Sequence, residues 1–92
     1  MIKSFKHKGL ELFFKTGDKS GIQAHHAKRL HQQLTALHHA EKPQEMNVPA
    51  WGFHPLKGDL KGYYAVSVNG NWRVTFKFEN GHAEVVDYQD YH

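Results

Sequence analysis

The chain has no cysteine in its 92 residues. That excludes a disulfide scaffold, a Cys-ligated zinc site and thiol catalysis together. It also has no run approaching the 18 or more apolar residues of a helical membrane span. The opening Met1-Ile2-Lys3-Ser4-Phe5 does not read as a secretory signal, so the expected location is the cytoplasm. Proline is scarce at three residues, and neither an internal repeat nor a low-complexity tract interrupts the chain. What is present is a small core: 39% of residues are hydrophobic and 13% aromatic. Disorder requires low hydrophobicity with high net charge, and this composition does not meet it. The length suits a single domain over residues 1–92 that buries roughly 60–65% of its unfolded surface, giving modest stability. Twelve Lys and Arg against nine Asp and Glu leave a net charge of +3, with nine histidines besides. An isoelectric point near 9.2 favours a polyanionic partner.

Residues 2–7 alternate weakly and predict a short strand. Lys8 to Lys15 carries Leu10, Leu12, Phe13 and Phe14, which suits a short helix ended by Gly17. Ser20 offers an N-cap for a second helix. From Ile22 onward Ala27, Leu30, Leu34 and Leu37 recur three or four apart, one stripe facing a core, until Pro43. Glu45 to Pro55 reads as an irregular loop. The last third changes period. Asn69-Gly70 and Asn80-Gly81 are strong hairpin signals that divide Gly62–His92 into three antiparallel strands. In the middle strand Trp72, Val74, Phe76 and Phe78 occupy one face, and Arg73, Thr75 and Lys77 the other. A three-residue first loop aligns Tyr64, Val66 and Val68 with the buried face of that strand, whereas a two-residue loop would exchange the faces. The expected fold is α+β, ordered β-α-α-β-β-β, with two N-terminal helices packed on one face of a curved antiparallel sheet.

Three segments carry the reactive side chains: Phe53 to Asp59 leading into Lys61-Gly62-Tyr63-Tyr64, Trp72-Arg73-Val74, and the terminal Asp87 to His92. An antiparallel sheet brings them together on its open face. Such a set suits metal-free RNA cleavage, in which a base takes the ribose 2′-OH proton and an acid protonates the leaving 5′ oxygen. Cations must stabilise the charge that builds on phosphorus. Histidine titrates near neutral pH, so His54 and His92 suit the proton-transfer roles. Asp90 would orient a histidine or act as the base. Lys57 and Arg73 form the electrostatic pair, and Tyr91 would stack on a base or bond to the sugar. A bland reading pairs Arg73 with Glu84 or Asp87 on a polar strand face. His25, His26, His31, His38 and His39 crowd one helix, but none are three or four residues apart, as a chelating pair on one face requires. A solvated helix surface is expected there, with no metal site and no cofactor.

The stretch His54-Pro55-Leu56-Lys57-Gly58-Asp59, the following Gly62-Tyr63, the strand Asn71-Trp72-Arg73-Val74-Thr75-Phe76 and the terminal Asp87-Tyr88-Gln89-Asp90-Tyr91-His92 resemble HigB toxins of the RelE superfamily. The opening Ile2 to Leu10 is similar as well, so the likeness spans nearly the whole chain. It implies a RelE-like fold and a type II toxin that cuts mRNA in the ribosomal A site. A HigA-like helix-turn-helix antitoxin would restrain it, and operator DNA would be reached only through the complex with that antitoxin. Position by position, His54, Lys57, Arg73, Asp90, Tyr91 and His92 match the family's functional pattern. The superfamily also includes gyrase inhibitors and inactive RNA- or antitoxin-binding toxins, so the fold alone does not settle the activity.

Overall fold

Two helices precede a four-stranded antiparallel sheet of order β1-β2-β3-β4 in the computed structural model, which describes residues 1–91. The expected site residue His92 lies outside the described residues. Helix α1 (Lys8–Thr16) begins where the His7 imidazole accepts the Leu10 N–H at 2.9 Å, satisfying one of the amides a helix start leaves open. It ends as expected at Gly17, whose φ of 82° lets its N–H return to the Phe13 carbonyl. Leu10 and Phe13 are its buried residues.

Ser20 does not cap the second helix. Its N–H is held by Asp18 Oδ1 at 2.8 Å in the preceding turn, and the chain first makes a 3-10 turn over Ala24–His26. Helix α2 (Ala27–His39) then buries Ala27, Leu30, Gln33, Leu34 and Leu37. It closes at Ala40, and Pro43 instead starts a separate 3-10 turn, Pro43–Met46. The histidines of this region are not a uniform solvated surface. His25, His31 and His39 are exposed, but His26 is buried and its Nδ1 lies 2.6 Å from the Tyr88 hydroxyl. His38, half-buried, accepts the Ile2 N–H at 3.2 Å. Burial, followed by the neighbouring His25 charge, lowers the pKa of His26. Burial, followed by the charges of the N-terminus and His39, lowers that of His38. Periodicity alone did not separate these two from their neighbours, because each acquires its partner from a distant segment.

The sheet comprises β1 (His54–Pro55), β2 (Tyr63–Asn69), β3 (Trp72–Glu79) and β4 (His82–Asp90). Strand β1 falls within the stretch expected to be irregular. Conversely, residues 2–7 form no continuous strand; they touch β4 through two isolated parallel bridges, Ile2 to Ala83 and Phe5 to Val86. The α+β architecture with the helices on one sheet face stands. Val66, Val68, Val74, Phe76, Val86 and Tyr88 line that face and share one core with Leu10, Leu30, Leu34 and Leu37.

Both hairpins form. Asn80 and Gly81 take φ values of 53° and 79°, the two left-handed residues of a type I′ turn. At the first hairpin Tyr64 pairs with Phe76 and Val66 with Val74, the register expected for a three-residue loop. A shift between Ser67 and Asn69 then sets Asn69 opposite Trp72, so the turn itself closes over two residues. A second irregularity has larger consequences. Thr75 pairs with Asp87 but Lys77 with Glu84, leaving Val85 and Val86 both opposite Phe76. Val85 sits at φ 54°, a conformation costly for a β-branched side chain. Ser4 holds the distortion in place: its hydroxyl accepts the Val85 N–H at 2.9 Å and its carbonyl the Val86 N–H at 3.1 Å. Without this extra residue, alternation from Ala83 would carry Val85 and Asp87 inward. With it, Val86 and Tyr88 enter the core while Asp87 and Gln89 move to the open face.

Candidate active site on the open sheet face

Residues directly paired across antiparallel strands share a face. One row on the open face is therefore His54, Ala65, Thr75 and Asp87. The next row is Ser67, Arg73 and Gln89. A shallow cavity of about 40 Å³ lies here, with Lys6, Leu60, Tyr63, Thr75, Asp87 and Gln89 among its walls.

His54 is exposed, yet it is anchored from several directions. Its strand pairs with β2, and Phe53 stacks on Tyr64 with ring centroids 5.5 Å apart. On either side the Ser67 N–H reaches the Trp51 carbonyl at 2.7 Å and the Leu56 N–H reaches the Tyr63 carbonyl at 2.8 Å. The imidazole Nδ1 lies 2.9 Å from the Gly52 carbonyl. A carbonyl only accepts, so Nδ1 carries the hydrogen and Nε2 of the neutral ring keeps its lone pair. That tautomer suits a general base.

Arg73 occupies the central strand. Its Nη2 donates to Gln89 Oε1 at 3.4 Å, and its guanidinium carbon sits 4.1 Å from the centroid of the Tyr91 ring, within cation–π range. Gln89 in turn donates to Asp87 Oδ2 at 2.8 Å, and Asp87 Oδ1 accepts the Tyr88 N–H at 2.9 Å. The arginine's register partner is thus Gln89, not Glu84 or Asp87. Tyr91 is 57% exposed but tied through its N–H to the Asn71 carbonyl at 2.7 Å.

Lys57 is exposed where the chain enters the 3-10 turn Gly58–Leu60. Asp90 closes β4 opposite Trp72. Trp72 packs on the helix side against His26 and Tyr88, and Asp90 follows Gln89 at the end of β4, one position beyond the Arg73 row. The geometry therefore brings Arg73 and Tyr91 into contact and places His54 on the same face, two strands away. Sheet spacings put the Cα atoms of His54 and Arg73 on the order of 12 Å apart, which leaves room for a nucleotide between them. Asp87 and Gln89 lie in the terminal segment named from the sequence, but neither is assigned a role in the site there. Their only local signal is the polar alternation Asp87-Tyr88-Gln89, and the face it falls on depends on the bulge at Val85. Among the described residues, no group of three His, Asp or Glu side chains gathers as metal ligands, and no helix is long and apolar enough to cross a membrane.

Comparison with known proteins adds two findings. A family model described as the RelE-like toxin of type II toxin-antitoxin system HigB matches residues 3–92. A protein of Proteus vulgaris named Endoribonuclease HigB is 48% identical over 92 residues, covering all of both chains.

Proposed function

Because the chain belongs to the HigB-like family of RelE-like type II toxins, we propose that it is a ribosome-dependent endoribonuclease of the cytoplasm, cleaving mRNA in the ribosomal A site and restrained by a HigA-like antitoxin. The reaction we assign is metal-independent. His54 Nε2 takes the proton of the ribose 2′-OH, and the freed oxygen attacks the adjacent phosphorus. The bond to the 5′ oxygen breaks, and that oxygen leaves with a proton from an acid at the chain end, where Asp90 and His92 are the candidates. The products are a 2′,3′-cyclic phosphate and a 5′-hydroxyl. Arg73 and Lys57 offset the charge that builds on the phosphorane oxygens, and Tyr91 offers a ring on which a base can stack.

The observation that carries this reading is the bond from His54 to the Gly52 carbonyl, which keeps Nε2 as an acceptor on the face that bears Arg73. A protein that only bound RNA would need cations and stacking rings but no tautomer-locked imidazole. The separation of His54 from Arg73 supports the dependence on the ribosome. Fixing the codon in one place supplies the positioning that a small open face does not.

The test is 5′-end mapping of transcripts after brief induction of wild type, His54→Ala and Arg73→Ala, with purified protein assayed beside it on naked and ribosome-bound mRNA. Cuts at a fixed codon phase, lost in both variants and slow on naked RNA, are expected. Intact transcripts under arrested growth would instead indicate a gyrase-inhibiting or inactive binding toxin of the same fold.

A further inference from the structure

The geometry points to Gln89 and Asp87 as positioning residues that hold the Arg73 guanidinium in its phosphate-facing orientation. The inference rests on the reading of Arg73 as the phosphate-binding cation and adds two residues to it.

An arginine side chain has many rotamers, and one standing on an open sheet face has little packing to select among them. Here two contacts restrict it. The Tyr91 ring covers one face of the guanidinium at 4.1 Å, and Gln89 Oε1 accepts from Nη2. The second contact has a direction set from below. Asp87 is engaged at both carboxylate oxygens, by the Tyr88 N–H and by Gln89. A carboxylate accepts only, so Gln89 must turn its NH₂ toward Asp87 and its carbonyl oxygen toward Arg73. The order Asp87, Gln89, Arg73 thus has one consistent orientation of the amide, and a charged acceptor at its root strengthens it. Arg73 Nε is buried and has no hydrogen-bond partner among the described residues, so the Nη end is the part left to meet a phosphate. The bulge at Val85 places both relay residues on this face, and the Ser4 hydroxyl holds that bulge.

The test is a double-mutant cycle on cleavage of ribosome-bound mRNA, using Gln89→Met, Arg73→Ala and the pair. Methionine keeps the length of glutamine and removes both hydrogen bonds. Gln89→Met should slow cleavage by about tenfold to hundredfold, the range expected when a catalytic group is misaimed by about 1 Å. In the Arg73→Ala background the same change should cost less than about twofold, because nothing remains to aim. A purely structural role would instead multiply the two losses, and that result overturns the inference. Asp87→Asn provides a second entry should Gln89→Met fold poorly. It keeps shape but removes the charge, and should give a smaller loss that also vanishes without Arg73. A readout independent of activity is the Arg73 Nε–H resonance. The buried group should exchange slowly in wild type and broaden in Gln89→Met, and an unchanged resonance counts against the relay. If Arg73→Ala cleaves like wild type, the reading of Arg73 itself fails; if only Gln89→Met does, the relay alone fails.

Discussion

Replacing Tyr88 by phenylalanine removes one oxygen from the contact between the helices and the sheet, and its cost can be worked out from that contact. Tyr88 is buried, and its ring packs on Trp72 with centroids 4.5 Å apart, an arrangement phenylalanine preserves. The hydroxyl meets His26 Nδ1 at 2.6 Å and accepts the Gln23 N–H at 3.3 Å. Gln23 is exposed, so water can take over its amide and that loss is small. His26 is only 2% exposed, and no water replaces the partner of its ring nitrogen. Orphaning a buried polar atom costs about 1–3 kcal/mol. At about 2 kcal/mol, a domain of this size loses about 8–16 °C in melting temperature. Thermal unfolding at pH 7.5, followed by circular dichroism, measures it directly. Tyr88→Phe with His26→Leu removes both polar ends, so the double variant should lose clearly less than the sum of the two single changes. A shift under about 3 °C for Tyr88→Phe, or full additivity in the pair, would refute the account.

Gly9 and Gly21 touch backbone to backbone, and a Cβ at Gly21 would stand 2.5 Å from the Gly9 Cα. No flexible side chain can give way there, so Gly21→Ala should cost about 1–3 kcal/mol, read as a lower urea midpoint; an unchanged midpoint would mean that the crossing is loose. His26 and His38 both have folded pKa values lowered chiefly by burial. The unfolded chain therefore binds protons first, so stability is held above about pH 6.5 and falls below it by up to about 1.4 kcal/mol per pH unit for each histidine. Urea unfolding between pH 5 and 8 checks this, and a flat profile below pH 6.5 contradicts it. Ser4→Ala removes the acceptor of the Val85 N–H at a cost of about 1 kcal/mol. Hydrogen exchange of the Val85 amide should accelerate, and equal protection would show that the bulge does not depend on Ser4.

Residues close in sequence settled much of this fold. Gly17 stops α1 because only a residue tolerant of positive φ closes that turn. Asn80-Gly81 makes the second hairpin because both positions must be left-handed. The stripe of Leu30, Leu34 and Leu37 and the alternation of Trp72, Val74, Phe76 and Phe78 each specify a buried face within a dozen residues. The candidate side chains were legible as types and segments, and two of them, His54 and Arg73, stand on one face of the sheet two strands apart. Three features depended on distant chain. The first is the strand His54–Pro55, too short to carry a period and formed by pairing with β2. The second is the burial of His26, which requires Tyr88, 62 residues away. The third is the bulge at Val85, held by Ser4 across 81 residues. A side-chain period of two carries the faces forward only while the strand is regular, so a single extra residue reverses every face beyond it. Local sequence therefore determined the strands of the two hairpins and which residue types are available for chemistry, but not the strand at His54–Pro55 or the absence of one at residues 2–7. Only tertiary packing decided that Asp87 and Gln89 stand beside Arg73.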